Sequence, residues 1–169
     1  LVEVDSGVLV GINTGLANRL VLESIQGKKI EKLQGYSKVR TEVPYGRENS
    51  RIDILLESAG LRDCFIEVKN VSLGTSTGEG FFPDSVTVRG QKHLKELMSV
   101  KESGARAVLF FCVQHSKVES VAPAYDIDPV YAELLIEAIK CGVEVMAYRS
   151  EVDLVSSTIW LEKELPVKI

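Results

Sequence analysis

Read for the spacing of its apolar positions, the chain divides into runs with a helical period and runs with a strand period. Residues 8–12 form a short β-like run. In "NTGLANRLVLESIQGKKI" Leu16, Leu20 and Val21 recur at helical intervals and Gly27 offers a stop, which predicts a helix over about 14–25. "SKVRTEVPY" (37–45) is β-rich and is closed by the turn-like "GRENS"; "RIDILLE" reads as a second strand. After the turn "SAGLRD", "CFIEVKNV" reads as a third, so a hairpin or meander is expected. "SLGTSTGEGFFPDSVTVRG" is rich in Gly, Ser and Thr and predicts a long loop of the kind that often carries function.

The second half alternates more regularly. Leu94, Leu97 and Met98 give "GQKHLKELMSVKESG" an apolar helical stripe that Gly104 ends. "ARAVLFFCVQ" is continuously apolar, as a strand covered on both faces should be. "DPVYAELLIEAIKCG" predicts a third helix, with Asp128 as N-cap, Pro129 at the first position and Gly142 as C-cap. "VEVMAYRSEV" and "TIWLEKELPV" read as closing strands. The order implies an α/β domain: a mixed sheet with helices on both faces, without internal repeat or linker.

Composition narrows the class. At 169 residues the chain suits one domain. With 45% hydrophobic and 26% charged residues, nothing points to disorder. A formal net charge of −4 argues against coating nucleic acid by bulk electrostatics and leaves room for a local basic face. The apolar run "AVLFFCV" falls far short of the roughly 20 residues that cross a bilayer, so no membrane span is expected. The opening "LVEVDSGVLVG" has neither the basic region nor the cleavage site of a secretory signal, and it lacks an initiator Met, which suggests a processed chain or an excised domain. Cys64, Cys112 and Cys141 are odd in number and widely spaced, which disfavours a disulfide framework or a zinc site and fits a cytoplasmic setting.

The charges inside the second and third strands break the apolar pattern. Alternation puts Ile52, Ile54 and Leu56 on one face and Arg51, Asp53 and Leu55 on the other. In "CFIEVKNV" it sets Phe65, Glu67 and Lys69 opposite Cys64, Ile66 and Val68. If the strands are neighbours, Asp53 lies near Glu67, and paired carboxylates repel unless something positive lies between them. Mg²⁺ or Mn²⁺ would fit: Mg²⁺ is held by one or two carboxylates plus water, and the Val68 carbonyl could add an oxygen. Lys69 could then orient or help deprotonate a water and offset negative charge. The plainer alternative is a Glu67–Lys69 surface pair on a half-exposed strand.

An Asp on one strand and Glu-x-Lys on the next, in this order of elements, resembles the PD-(D/E)XK nuclease superfamily with its restriction-endonuclease-like fold. More specifically, "GINTGLANRLV", "GYSKVRTEVPYG", "SRIDILL", "FIEVKNVSL", "FFPDSVTVRGQKHLKEL" and "IDPVYAELLIEAIKCGVEVMAYR" resemble the sugar fermentation stimulation protein family over nearly the whole chain. That resemblance implies a DNA-binding protein linked to regulation of sugar catabolism, particularly maltose. It also implies an OB-like domain ahead of the nuclease-like one, so residues 1–12 would be the trailing segment of the former. Cleavage is implied by the fold.

The resemblance assigns Asp53, Glu67 and Lys69 as catalytic. Asp53, Glu67 and the Val68 carbonyl would be metal ligands, and Glu23, on the first helix, would join that shell; otherwise Glu23 is a solvated helix-boundary residue. Asn18, Arg89, Lys92 and His93 are assigned to DNA. Arg89, His93 and Glu96 form a stripe on the second helix, where Gly90 would let the backbone approach a phosphate. For His93 a structural role beside the core is the alternative, Asn13 can serve as a helix cap, and Asp84 is either a third carboxylate or a turn residue. "GTSTGEG" lacks the ending of a P-loop, and no Ser/His/Asp elbow is present, so nucleotide binding and serine-hydrolase chemistry are discounted. The leading expectation is a metal-dependent nuclease-like domain. A non-cleaving regulatory DNA-binding module and a structural carboxylate pair with a protein partner remain alternatives, and a homodimer is left open.

Overall fold

Residues 1–5, 7–46 and 50–169 are described by a computed structural model. In chain order the elements are β1 (Val2–Asp5), β2 (Val8–Val10), α1 (Thr14–Gln26), a 3-10 turn (Glu31–Leu33), β3 (Lys38–Tyr45), β4 (Ser50–Glu57), β5 (Cys64–Val71), β6 (Leu73–Gly74) and β7 (Glu79–Phe82). They continue with α2 (Val88–Glu102), β8 (Arg106–Val113), β9 (Ser120–Pro123), α3 (Pro129–Lys140), β10 (Glu144–Asp153) and β11 (Thr158–Leu165). The turn expected at "GRENS" falls largely on 47–49, outside the described residues.

The main sheet has the order β11-β10-β8-β5-β4-β3. β3, β4 and β5 form the expected antiparallel meander, whereas β5, β8 and β10 run parallel, joined by the helical crossovers that parallel neighbours require. The uninterrupted apolar run of β8 follows from its central place. Its residues 107–113 are all buried, feeding alternate side chains into two cores. Leu20, Val21 and Ile25 of α1 cover one face with Ile54, Ile66 and Phe110, while Leu94 and Leu97 of α2 and Tyr131 and Leu135 of α3 cover the other with Leu55, Leu109 and Phe111.

Local chemistry sets the helix ends. Thr87 accepts a hydrogen bond from the Gly90 amide, so α2 starts ahead of the expected Gly90. Asp128 caps α3 through the Tyr131 amide and also accepts from the Thr87 amide at 2.8 Å and the Gln91 side chain at 3.0 Å, tying the starts of the two helices together. Asn13 stands at the cap position of α1 without a side-chain cap bond.

Two expectations are corrected. A Cβ on Gly90 would lie 2.7 Å from Thr87 Cγ2 and 3.1 Å from the Tyr131 ring, so this glycine serves helix packing rather than approach to a phosphate. The long loop carries β6 and β7, and β7 pairs in parallel with β9 in a separate three-stranded sheet. Strands this short, with glycines at Gly74 and Gly80, show no readable alternation.

Candidate metal centre

β5 is paired differently on its two sides. With β8 it keeps register along its whole length, from Cys64↔Arg106 to Val71↔Val113. With β4 it pairs only at Ile54↔Ile66, Leu55↔Phe65 and Leu56↔Cys64. At Asp53 a side chain takes over from the backbone, because a buried amide must find an acceptor. Asp53 Oδ2 accepts from the Val68 amide at 2.7 Å, and Oδ1 accepts from Asn18 Nδ2 of α1 at 2.8 Å.

This opening breaks the alternation of β4. Ile52 packs with Leu55 under α2 and α3, whereas Ile54 and Leu56 pack under α1, so the expected single face for Ile52, Ile54 and Leu56 is corrected. Glu42, at the position across from Asp53 on β3, is in the left-handed region with φ 53°, and no pair forms there. The irregular backbone is therefore local to the site.

Glu67, on β5, follows the expected alternation and faces α2. It is only 2% exposed. Its Oε1 accepts from Lys69 Nζ at 2.7 Å and is also hydrogen-bonded to His93 Nδ1, which itself lies 3.2 Å from Lys69 Nζ. On the far side of the imidazole, Arg89 Nε is 3.5 Å from His93 Nε2. Oε2 of Glu67 is buried with no hydrogen-bond partner among the described residues.

The two carboxylates titrate in opposite directions. Burial, reinforced by the Glu67 charge, pushes Asp53 up to about 6 against the help of the Val68 amide, Lys69 and Asn18. Burial also works to raise Glu67, but the His93 hydrogen bond and the Lys69 ammonium outweigh it and hold that carboxyl below its ordinary range. Asp53 thus keeps an unmet demand for positive charge, and Glu67 keeps one unpartnered oxygen. These are hard oxygen donors suited to Mg²⁺ or Ca²⁺ with water completing the shell. Among the described residues no group of three or more His, Cys, Asp or Glu side chains is arranged to hold a metal.

A cleft of about 450 Å³ opens next to the hydrogen-bond partners of the two carboxylates, bordered by Asn18, Val68, Lys69, Asn70 and the exposed Asp84. Asn70 is fixed by Gln114, whose amide donates to it at 2.6 Å. Several site residues stand elsewhere than expected. Glu23 pairs with Arg19 at 2.9 Å with its side chain 54% exposed, so the helix-one residue that reaches the site is Asn18. Asn18, half-buried at the edge of the cleft, donates its amide to Asp53. His93 is 4% exposed and contacts Glu67, which corrects its assignment to DNA. Arg89 is exposed, and Lys92 is half-buried along a separate groove of about 300 Å³ that also holds Glu96, whose buried carboxylate has no hydrogen-bond partner among the described residues. The i,i+4 spacing of Arg89 and His93 was the available signal for their contact; no local spacing connects Asn18 to Asp53.

A mixed sheet that opens between an Asp strand and a Glu-x-Lys strand, with helices packed on both faces, is the restriction-endonuclease-like fold. The family model described as "Sugar fermentation stimulation protein RE domain" matches residues 15–156, and the chain belongs to that family. It is 53% identical over 165 residues to a sugar fermentation stimulation protein homolog of Shewanella loihica, covering 98% of this chain and 69% of that protein. With the homolog of Pseudoalteromonas atlantica it shares 50% identity over 161 residues, covering 95% of this chain and 68% of that one. The solved structure of Pyrococcus furiosus SfsA in complex with Ca²⁺ superposes with a TM-score of 0.88 at 33% identity, covering 98% of this chain and 69% of that one. No helix among the described residues is long and apolar enough to cross a membrane.

Proposed function

We propose that this domain binds DNA and hydrolyses its phosphodiester backbone with Mg²⁺, or Mn²⁺ in its place, held by Asp53, Glu67 and the Val68 carbonyl. The observation that carries the reading is the unmet demand for positive charge where the β4–β5 ladder opens. Asp53 is pushed up to about 6 there, beside a buried Glu67 oxygen without a partner. A divalent ion at that point supplies a water of lowered pKa and stabilises charge on the phosphate. Lys69 borders the cleft and is held 2.7 Å from Glu67 Oε1, where its ammonium orients a water and offsets negative charge. Asn18 and the Val68 amide keep Asp53 in place. Exposed Arg89 offers a phosphate contact, and the net charge of −4 makes DNA binding depend on such local contacts. The Ca²⁺ complex of the Pyrococcus furiosus protein supports a divalent ion in this fold.

A second reading, a regulatory DNA-binding module that does not cut, is favoured by one observation: Lys69 is engaged by Glu67 and His93 rather than standing free at the cleft. Single- and double-stranded DNA incubated with Mg²⁺, with Mn²⁺ and with chelator separates the two. Cleavage that requires the metal and is lost in Asp53→Asn is expected. A mobility shift at low salt without cleavage in either metal would establish the second reading instead, and cleavage that persists in Asp53→Asn would remove the assigned site.

A further inference from the structure

The buried His93 sits between two groups of fixed hydrogen-bonding character. Arg89 Nε, 3.5 Å from His93 Nε2, can only donate. An ionised Glu67 can only accept, and its Oε1 meets His93 Nδ1. A neutral imidazole has one N–H and one bare nitrogen. Only one tautomer serves both neighbours: Nδ1–H toward Glu67 and bare Nε2 toward Arg89. Lys69 Nζ, 3.2 Å from Nδ1 and 2.7 Å from Glu67 Oε1, then gives its proton to the oxygen.

We infer that His93 is a positioning residue whose Nδ1–H tautomer, set by Arg89, fixes Glu67 by Oε1 and leaves Oε2 for the divalent ion. The inference rests on the metal reading above and adds a division of labour within one carboxylate. Oε1 is the anchor, shared by His93 and Lys69. Oε2, buried and unpartnered among the described residues, is the ligand. An orienting partner of this kind is typically worth about 10–100-fold in metal affinity. α2 supplies the geometry: Arg89 and His93 are four residues apart on one helix face, while Asp128 and Thr87 fix the start of that helix.

Two measurements test it on the intact protein. Long-range proton–nitrogen spectra of the imidazole should show the proton on Nδ1; a neutral ring protonated at Nε2 would overturn the inference without reference to any metal. Mn²⁺ titration by calorimetry then compares His93→Asn, whose amide nitrogen takes the place of Nδ1, with His93→Gln, whose amide nitrogen takes the place of Nε2. With unfolding curves confirming both folded, His93→Asn should stay within about 3-fold of the native affinity and His93→Gln should lose about 10-fold or more. Equal affinity in the two folded variants would overturn the positioning role. If the unaltered protein binds no Mn²⁺, the metal reading falls and with it the role assigned to Oε2, while the spectra still decide the tautomer.

Discussion

The two sides of β5 are built from the same eight residues and end in different chemistry. Toward β8 every residue keeps register, and the partner side chains from Ala107 to Val113 are apolar and buried. Toward β4 the ladder stops after three pairs, and the Asp53 carboxylate serves the next amide. A closed ladder satisfies its own polar groups and asks nothing of the solvent. An opened one must hold charge near the core, and the opposite displacements of Asp53 and Glu67 record that cost. The difference teaches that the candidate site is a designed interruption of the sheet.

The comparison can be broken first on its closed side. Phe110→Ala, at a fully buried position of β8, should destabilise the fold by about 3–5 kcal/mol in denaturant unfolding. A cost below about 1 kcal/mol would show that the closed side is not the structural half.

On the open side the effects should be smaller and pH-dependent, with opposite signs. The folded Asp53 carboxyl is raised from 3.8 to about 6, so its contribution favours folding at low pH and is lost as the pH rises through about 6. Asp53→Asn should therefore be more stable than the native protein by about 1–3 kcal/mol at about pH 8, an advantage that fades toward pH 4. Glu67 is lowered, so its contribution is present above its unfolded value and is lost as the pH falls through its folded one. Glu67→Gln should be less stable than the native protein at neutral pH by about 1–2 kcal/mol, and the deficit should close in acid. Unfolding curves at four or five pH values decide both, and equal pH profiles for the two variants would contradict the assigned environments.

The smallest effect belongs to Glu23. Its exposed pair with Arg19 predicts a change within about 0.5 kcal/mol for Glu23→Ala. Metal affinity should be unchanged as well; a loss on calorimetric titration would return Glu23 to the site.

Much of this was legible in the sequence, and for definite reasons. β5 is long, and its alternation holds from Cys64 to Val71, so Glu67 and Lys69 were correctly set on one face. β8 and the capped α3 carry strong local signals of the same kind. Asp53 was found, but its face was not, because alternation assumes a regular ladder and the ladder ends there. The sequence pattern names no neighbour for His93 or Asn18, since their partners lie 26 and 35 residues away and no periodicity reports such contacts. The β6-β7-β9 sheet escaped because a two-residue and two four-residue strands cannot display a period.

The most direct test of the central claim is Mg²⁺ and Ca²⁺ titration, followed by calorimetry at a pH above 7, of the native protein beside Asp53→Asn and Glu67→Gln. One ion bound per chain in the native protein, weakened at least about 10-fold in each variant, is the expected result. Binding that survives both substitutions unchanged, or a native protein that takes up neither ion, would contradict it.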